Sequence, residues 1–244
     1  MDDKLDNMPQ MVKVPAAEFT MGDLWKDGDA DETPVYNTWV ESFYLSKYAV
    51  TNRQFVHYLN DLRQNRDENG NTLIDIHKGF IDYKQGTFFC KQGFETHPVV
   101  YVSWHGAVSY CQWLTAKTSQ TFRLPTEVEW QYAASGPQHL KWSLEGPFDL
   151  KKYIGSKKCP APVDVGRASD LGLFNMTGNV FEWCHDEYRF SLDQSSDSNI
   201  LTHNRVIKGG AFILADSMNF RNAKRFSCCQ KSCLNCIGFR VAAD

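Results

Sequence analysis

The sequence predicts an α+β fold. Three helical patterns with strong start signals fall between Thr51 and Gly136, and the rest of the chain reads as short strands and ordered loops. No regular alternation of strand and helix marks a parallel sheet, and no internal repeat or low-complexity linker divides the 244 residues. Hydrophobic residues make up 42% of the chain, enough for one large domain, or two small ones, with a substantial core.

The elements follow in order. Residues 1–10 are acidic and polar and read as a flexible tail. Met11 to Gly22 alternates weakly, as an edge strand plus turn. Asp27 to Thr33 reads as a solvated acidic loop. Tyr36 to Val50 holds two short strand patterns, one around Val40-Glu-Ser-Phe43 and one from Tyr44-Leu45 to Val50. Thr51 with Gln54 three residues later forms a capping box, and Phe55, Leu59 and Leu62 share one helical face. A second helix follows Ser103, with Ala107, Tyr110, Cys111 and Leu114 turned inward. A third starts at Thr126 with Glu129 in the reciprocal position. It buries Trp130, Ala133 and Ala134 and stops near Gly136.

Composition excludes some functions. A net charge of −3 creates no field that selects nucleic acid or an anionic membrane. No apolar run approaches the roughly 18 residues of a membrane span. Aromatics at 14%, seven of them Trp, suit loops pinned by aromatic anchors. Cys90, Cys111, Cys159 and Cys184 are scattered, while Cys228, Cys229, Cys233 and Cys236 crowd the last stretch. That spacing is unlike a regular disulfide scaffold and does not fix the redox compartment. Cys233 and Cys236 have CxxC spacing, which permits a zinc reading, although adjacent Cys228-Cys229 is poor geometry for chelating one ion.

Several motifs could carry chemistry. Asn65 to Asn71 places oxygen ligands at alternate positions before a Gly, but Ile76 stands where a calcium loop needs a bidentate Glu, so a polar turn is expected. His97 leads a buried strand into the second helix, as a base or as a hydrogen-bonded structural residue. Asn175-Met-Thr-Gly-Asn-Val-Phe-Glu-Trp183 packs amides, a Gly turn and a carboxylate together. It suits a hard-cation site built from Asn175, Gly178, Val180 and Glu182, or a turn held by Asn side chains, and spacing leaves both open. Gly209-Gly210 and Gly238 permit close packing or positive φ, and Arg221, Arg225 and Arg240 are expected to buttress loops.

Together these stretches resemble the sulfatase-modifying-factor, or formylglycine-generating-enzyme, family. The resemblance rests on Met21-Gly22, Tyr48-Ala-Val-Thr-Asn-Arg-Gln-Phe55, His97-Pro-Val-Val-Tyr-Val-Ser-Trp104, Arg123-Leu-Pro-Thr-Glu-Val-Glu-Trp130, Leu171 to Trp183, Arg205 to Gly210 and Gly238-Phe-Arg240. They run in family order from residue 11 to the end. The resemblance implies a single C-type-lectin-like domain over 11–244 with much irregular structure. It also implies a structural calcium ion at Asn175, Gly178, Val180 and Glu182. The positions of the family's copper-binding cysteine pair hold Leu214 and Asn219, and the other register brings Ser217 near one of them. Neither supplies a thiolate, so no copper and no enzyme activity are expected.

The segment from Gly210 to Ile237 resembles the variable region of diversity-generating-retroelement proteins, the treponemal ones among them. Arg205, Val206, Gly209, Gly210, Arg221, Arg225, Ile237, Gly238, Phe239 and Arg240 match their fixed frame. Phe226-Ser-Cys-Cys229 and Cys233-Leu-Asn-Cys236 are all reachable from an AAC codon by changing adenines alone. The resemblance implies a receptor-like protein that displays a variable region, about 211–236, on C-terminal loops. Its ligand-binding residues would be Phe212, Ile213, Leu214, Asp216, Ser217, Asn219, Phe226, Ser227, Cys228, Cys229, Cys233, Leu234, Asn235 and Cys236. The expected partner is a protein or other macromolecule, bound by a monomer that is exported or held at the cell surface by a lipoprotein-type anchor. If the segment is a display surface, replacing residues 226–229 and 233–236 together should leave stability nearly unchanged. The alternative is an atypical formylglycine-generating oxidase using Cys228, Cys229 or Cys233, and a third reading is a zinc- or disulfide-stapled domain.

Overall fold

The computed structural model describes residues 7–153, 158–193 and 200–244, with the backbone alone for 200–202. Helices and strands both build it, and much of the chain is loop. The first sheet joins distant parts of the chain: β1 (Met11–Val14) at the edge, then β4 (Phe43–Ser46), β12 (Ala242–Ala243) and β7 (Phe122–Arg123). The second carries the late strands in the order β10 (Phe226–Cys229), β9 (Ile200–Lys208), β8 (Phe181–Arg189) and β11 (Ile237–Gly238). Two hairpins complete the set, β2 (Ala17–Met21) with β3 (Tyr36–Val40), and β5 (Ile81–Lys84) with β6 (Thr87–Cys90). The strand pattern expected around Val40–Phe43 is broken at Glu41-Ser42, so Val40 ends β3 and Phe43 starts β4.

The helices begin where local chemistry says they should. Thr51 and Gln54 form a reciprocal capping box at the start of α1 (Asn52–Leu62). The Ser103 side chain accepts from Gly106 N at the start of α2 (Trp104–Thr118), and Thr126 with Glu129 caps α3 (Glu127–Ser135). A single turn, α4 (Leu150–Tyr153), follows. Gly136 ends α3 in a positive-φ conformation. The Asn65–Asn71 segment is a polar turn, in which Asp67 Oδ1 accepts from the N–H groups of Asn69 and Asn71. His97 differs from expectation: its ring packs with Phe80 and Phe94, its Nδ1 has no hydrogen-bond partner, and burial lowers its pKa.

Two apolar clusters fill the interior. One packs α1 and α2 on Phe239, Val241 and the second sheet; the other packs α3 on the first sheet and the β2–β3 hairpin. In the first, Phe55, Tyr58, Tyr110 and Phe239 meet ring to ring at 5.1–6.1 Å. Tyr58 hands its hydroxyl to Ser109, but Tyr110 Oη is buried without a partner. Burying a hydroxyl unpaired is costly, whereas removing it is not. Tyr110→Phe should therefore leave the melting temperature unchanged or raised, while Phe239→Ala should lose about 3–5 kcal/mol in urea melts by emptying its place.

Candidate functional site

The C-terminal segment is held from beneath by three buried arginines. Arg221 meets Glu32 with two bonds of 2.6 and 2.7 Å, and both side chains are out of solvent. Arg225 meets Glu127 at 2.6 and 3.0 Å and also donates to the carbonyls of Asp31 and Arg189. Arg240 meets Glu182 at 2.7 and 2.8 Å and donates to the carbonyls of Ser46 and Phe174. Such forked, charge-assisted pairs fix both distance and orientation.

The acidic loop is exposed at residues 27–30 and at Thr33, as its composition suggests, but Glu32 within it is not. Glu32 is fully buried because it neutralises Arg221, and Asp23 is buried because it accepts the N–H groups of Trp25, Asp27 and Gly28. Lys224–Asp29 and Lys141–Asp27 close the loop at the surface.

Glycine lets the loop start where it does. Gly210 lies at φ +75°, and a Cβ there would sit 2.8 Å from the Phe220 ring and 3.0 Å from Asn219 O. Beyond it, Leu214 N returns to Ala211 O, and Asp216 caps a one-turn 3₁₀ helix, Ser217–Phe220. Trp142 Nε1 donates to Ser217 O from outside. Further on, Trp104 N donates to Gln230 O and Tyr101 N to Leu234 O. Tyr101 holds φ +59°, rare for a bulky residue.

The expected display residues separate by burial. Ile213, Asp216, Cys229, Leu234 and Asn235 are exposed, with Ile213 at 51% and Leu234 at 44%. Leu214, Ser217, Asn219, Phe226, Ser227, Cys228 and Cys233 are half-buried. Phe212 and Cys236 are core residues instead, at 2% and 6%. Phe212 N donates to Asn179 O and Cys236 O accepts Phe181 N beside β11, and both side chains join the first apolar cluster. Phe226 packs edge-on against Phe181 at 4.9 Å. An eightfold replacement of 226–229 and 233–236 would therefore lower stability instead of leaving it unchanged, since it removes the Phe226–Phe181 contact and the buried Cys236 side chain.

The four crowded thiols are all free. Among the described residues they form no metal-ligating group with one another. Burial pushes Cys233 and Cys236 up to about 11 and raises Cys228 too.

The expected cation ligands are divided. Glu182 is 1% exposed and both its oxygens are engaged, by Arg240 and by Trp130 Nε1 at 2.7 Å. Asn175 lines a cavity of about 300 Å³ with Asn179, Lys151, Lys152 and Arg167, and its Nδ2 donates to Val163 O. Gly178 serves close packing, since a Cβ there would lie 2.1 Å from Tyr153 O. Val180 is buried. The set does not fit a calcium ion as one cage, because Arg240 already balances the Glu182 carboxylate and the Asn175 cavity is lined by three cationic side chains against one carboxylate, Glu145.

Some contributors lie outside every predicted set. Tyr101 and Trp104 support the C-terminal loops through backbone bonds, and Arg205 lies 4.1 Å over the Trp104 ring while reaching Gln230 Oε1. Their motif gave a strand entering a helix, with no sign of these long-range roles.

The whole chain, residues 1–244, matches the family described as "Sulfatase-modifying factor enzyme 1-like domain". The chain belongs to this family. Among its relatives is the serine/threonine-protein kinase Pkn1 of Chlamydia trachomatis serovar L2, 36% identical over 190 residues. That match takes in 78% of this chain, which spans only 30% of the kinase's length. The formylglycine-generating enzyme of Streptomyces coelicolor is 30% identical over 96% of this chain and 88% of the enzyme. Treponema denticola variable protein 1 shares the fold, with a TM-score of 0.73 at 18% identity over 96% of this chain and 94% of its own. The family's C-type-lectin-like fold is thus the fold of this protein.

The locks also set a pH dependence. Asp186 accepts the first N–H of α3, from Glu127, at 2.7 Å, and burial beside the Glu127 carboxylate pushes its pKa from 3.8 up to about 6. A raised folded-state pKa means the fold prefers the protonated acid. Its stabilising contribution is complete below pH about 4 and is lost as pH rises through 6. Asp186→Asn should therefore stabilise the protein at pH 8, by up to about 3 kcal/mol less the weaker cap, and do little at pH 4. Melts across that range check it.

Proposed function

We propose that this protein is a non-catalytic, receptor-like binding module. It presents the exposed side chains of the 211–236 region on a fixed lectin-like scaffold. The observation that carries the reading is the contrast inside one segment: Arg221 and Arg225 are buried and locked, while Ile213, Asp216, Cys229, Leu234 and Asn235 face solvent. Rigid loops lose little entropy on binding, and adjacent apolar and polar side chains suit a macromolecular surface. A protein or other macromolecule outside the cell, or at its surface, is the partner this reading assigns.

The oxidase reading draws on the likeness to the Streptomyces enzyme. Against it stand Leu214 and Asn219 at the expected cysteine positions, and thiols at Cys228 and Cys233 whose burial disfavours the thiolate needed for copper binding or attack.

With copper and oxygen supplied, a sulfatase-type cysteine peptide should gain no aldehyde by mass spectrometry. In parallel, replacing Ile213, Cys229, Leu234 and Asn235 by Ser should shift stability by no more than about 0.5 kcal/mol each. Gene sequences from several isolates should differ at these exposed positions and keep the arginine frame. Copper-dependent turnover, or isolates that vary in the frame as freely as in the loops, would contradict the assignment.

A further inference from the structure

Three buried polar atoms beside the Arg221 lock have no hydrogen-bond partner: Gln131 Oε1, His139 Nδ1 and Arg221 Nε. Their residues line one narrow cavity of about 10 Å³, together with Gly22, Trp25 and Lys141. That is about the space one water requires.

Each atom's hydrogen-bonding role is constrained. Gln131 Nε2 donates to Gly22 O at 2.9 Å, so the amide is not free to flip, because flipping would set two carbonyl oxygens against each other. Its Oε1 accepts only. Arg221 is held by Glu32 through its two terminal nitrogens, and its Nε donates only. Asp27 Oδ1 lies 3.8 Å from that Nε, beyond a hydrogen bond. The His139 ring is stacked on Phe19 at 5.2 Å and 11°, which fixes its plane, and its Nδ1 either donates or accepts.

The ligand must therefore accept from a guanidinium, donate to an amide oxygen and be the size of one water. A metal cation would face the Arg221 N–H, and a halide would face the Gln131 oxygen. Neither can serve both. Water does, with a second donor left for His139.

We propose that one long-lived water is bound here, donating to Gln131 Oε1 and His139 Nδ1 and accepting from Arg221 Nε. It ties the turn at Gly22, helix α3, the segment at His139 and the C-terminal loop at Arg221 into one network. All three Arg221 nitrogens then carry a directed hydrogen bond, and the C-terminal loop takes its position from that.

An atomic-resolution crystal structure of the full chain tests the site. The expected result is one peak within about 2.7–3.2 Å of all three atoms, without anomalous signal after bromide or rubidium soaks. No peak, an anomalous ion, or Arg221 Nε bonded directly to Asp27 would overturn the proposal. Oxygen-17 relaxation dispersion gives a solution count. Gln131→Leu should hold one long-lived water fewer than the unaltered chain. His139→Phe, which keeps the stack on Phe19, should shorten that water's residence time. If Gln131→Leu does not fold, the His139→Phe result decides, and unchanged relaxation in it counts against the site.

Discussion

Everything distinctive about this chain depends on guanidinium groups buried against carboxylates. Arg221 reaches Glu32 across 189 residues of sequence, Arg225 reaches Glu127 across 98, and Arg240 reaches Glu182 across 58. Burying such ions is expensive, and a well-packed apolar replacement can match their stability. Their value lies in direction. A guanidinium fork accepts one carboxylate pose, so each pair fixes where a piece of C-terminal backbone must run. Removing one partner strands the other charge and costs about 3–5 kcal/mol in comparable buried pairs.

That arrangement separates holding from touching. The loop from Gly210 to Phe220 is fixed by glycine conformation, by Asp216 capping its own turn and by Arg221 below. The stretch from Phe226 to Cys236 is fixed by pairing with β9, by Trp104 and Tyr101 bonding its backbone, and by Phe226 and Cys236 entering the core. Few of these anchors use the side chains that face water. A surface built this way can change its exposed residues while its path stays constant, which is what the proposed binding role requires.

Local features were legible in the sequence, and distant pairings were not. The capping boxes at Thr51 and Thr126 formed as read, because a cap needs only three neighbouring residues. The fold class was legible because the family motifs carry buried positions such as Trp130, Trp183 and Phe239. Glu32 reads as solvated in the sequence because its partner, Arg221, stands near the other end of the chain and charge alone carries no address. Phe212 and Cys236 read as display residues in the sequence because they lie between frame positions, and only the fold places them against Asn179 and Phe181 in the core. Glu182 reads as an ion ligand for the same reason: its spacing suits a carboxylate ligand, and only the fold brings Arg240 and Trp130 to it.

Hydrogen exchange read by mass spectrometry, on Glu32→Gln beside the unaltered chain, tests the central claim most directly. If the buried pair is what fixes the C-terminal path, protection should fall in residues 217–225 while α1 and α2 keep theirs. Unchanged exchange in 217–225 would mean that the loop holds its course without the lock, and the account would be wrong.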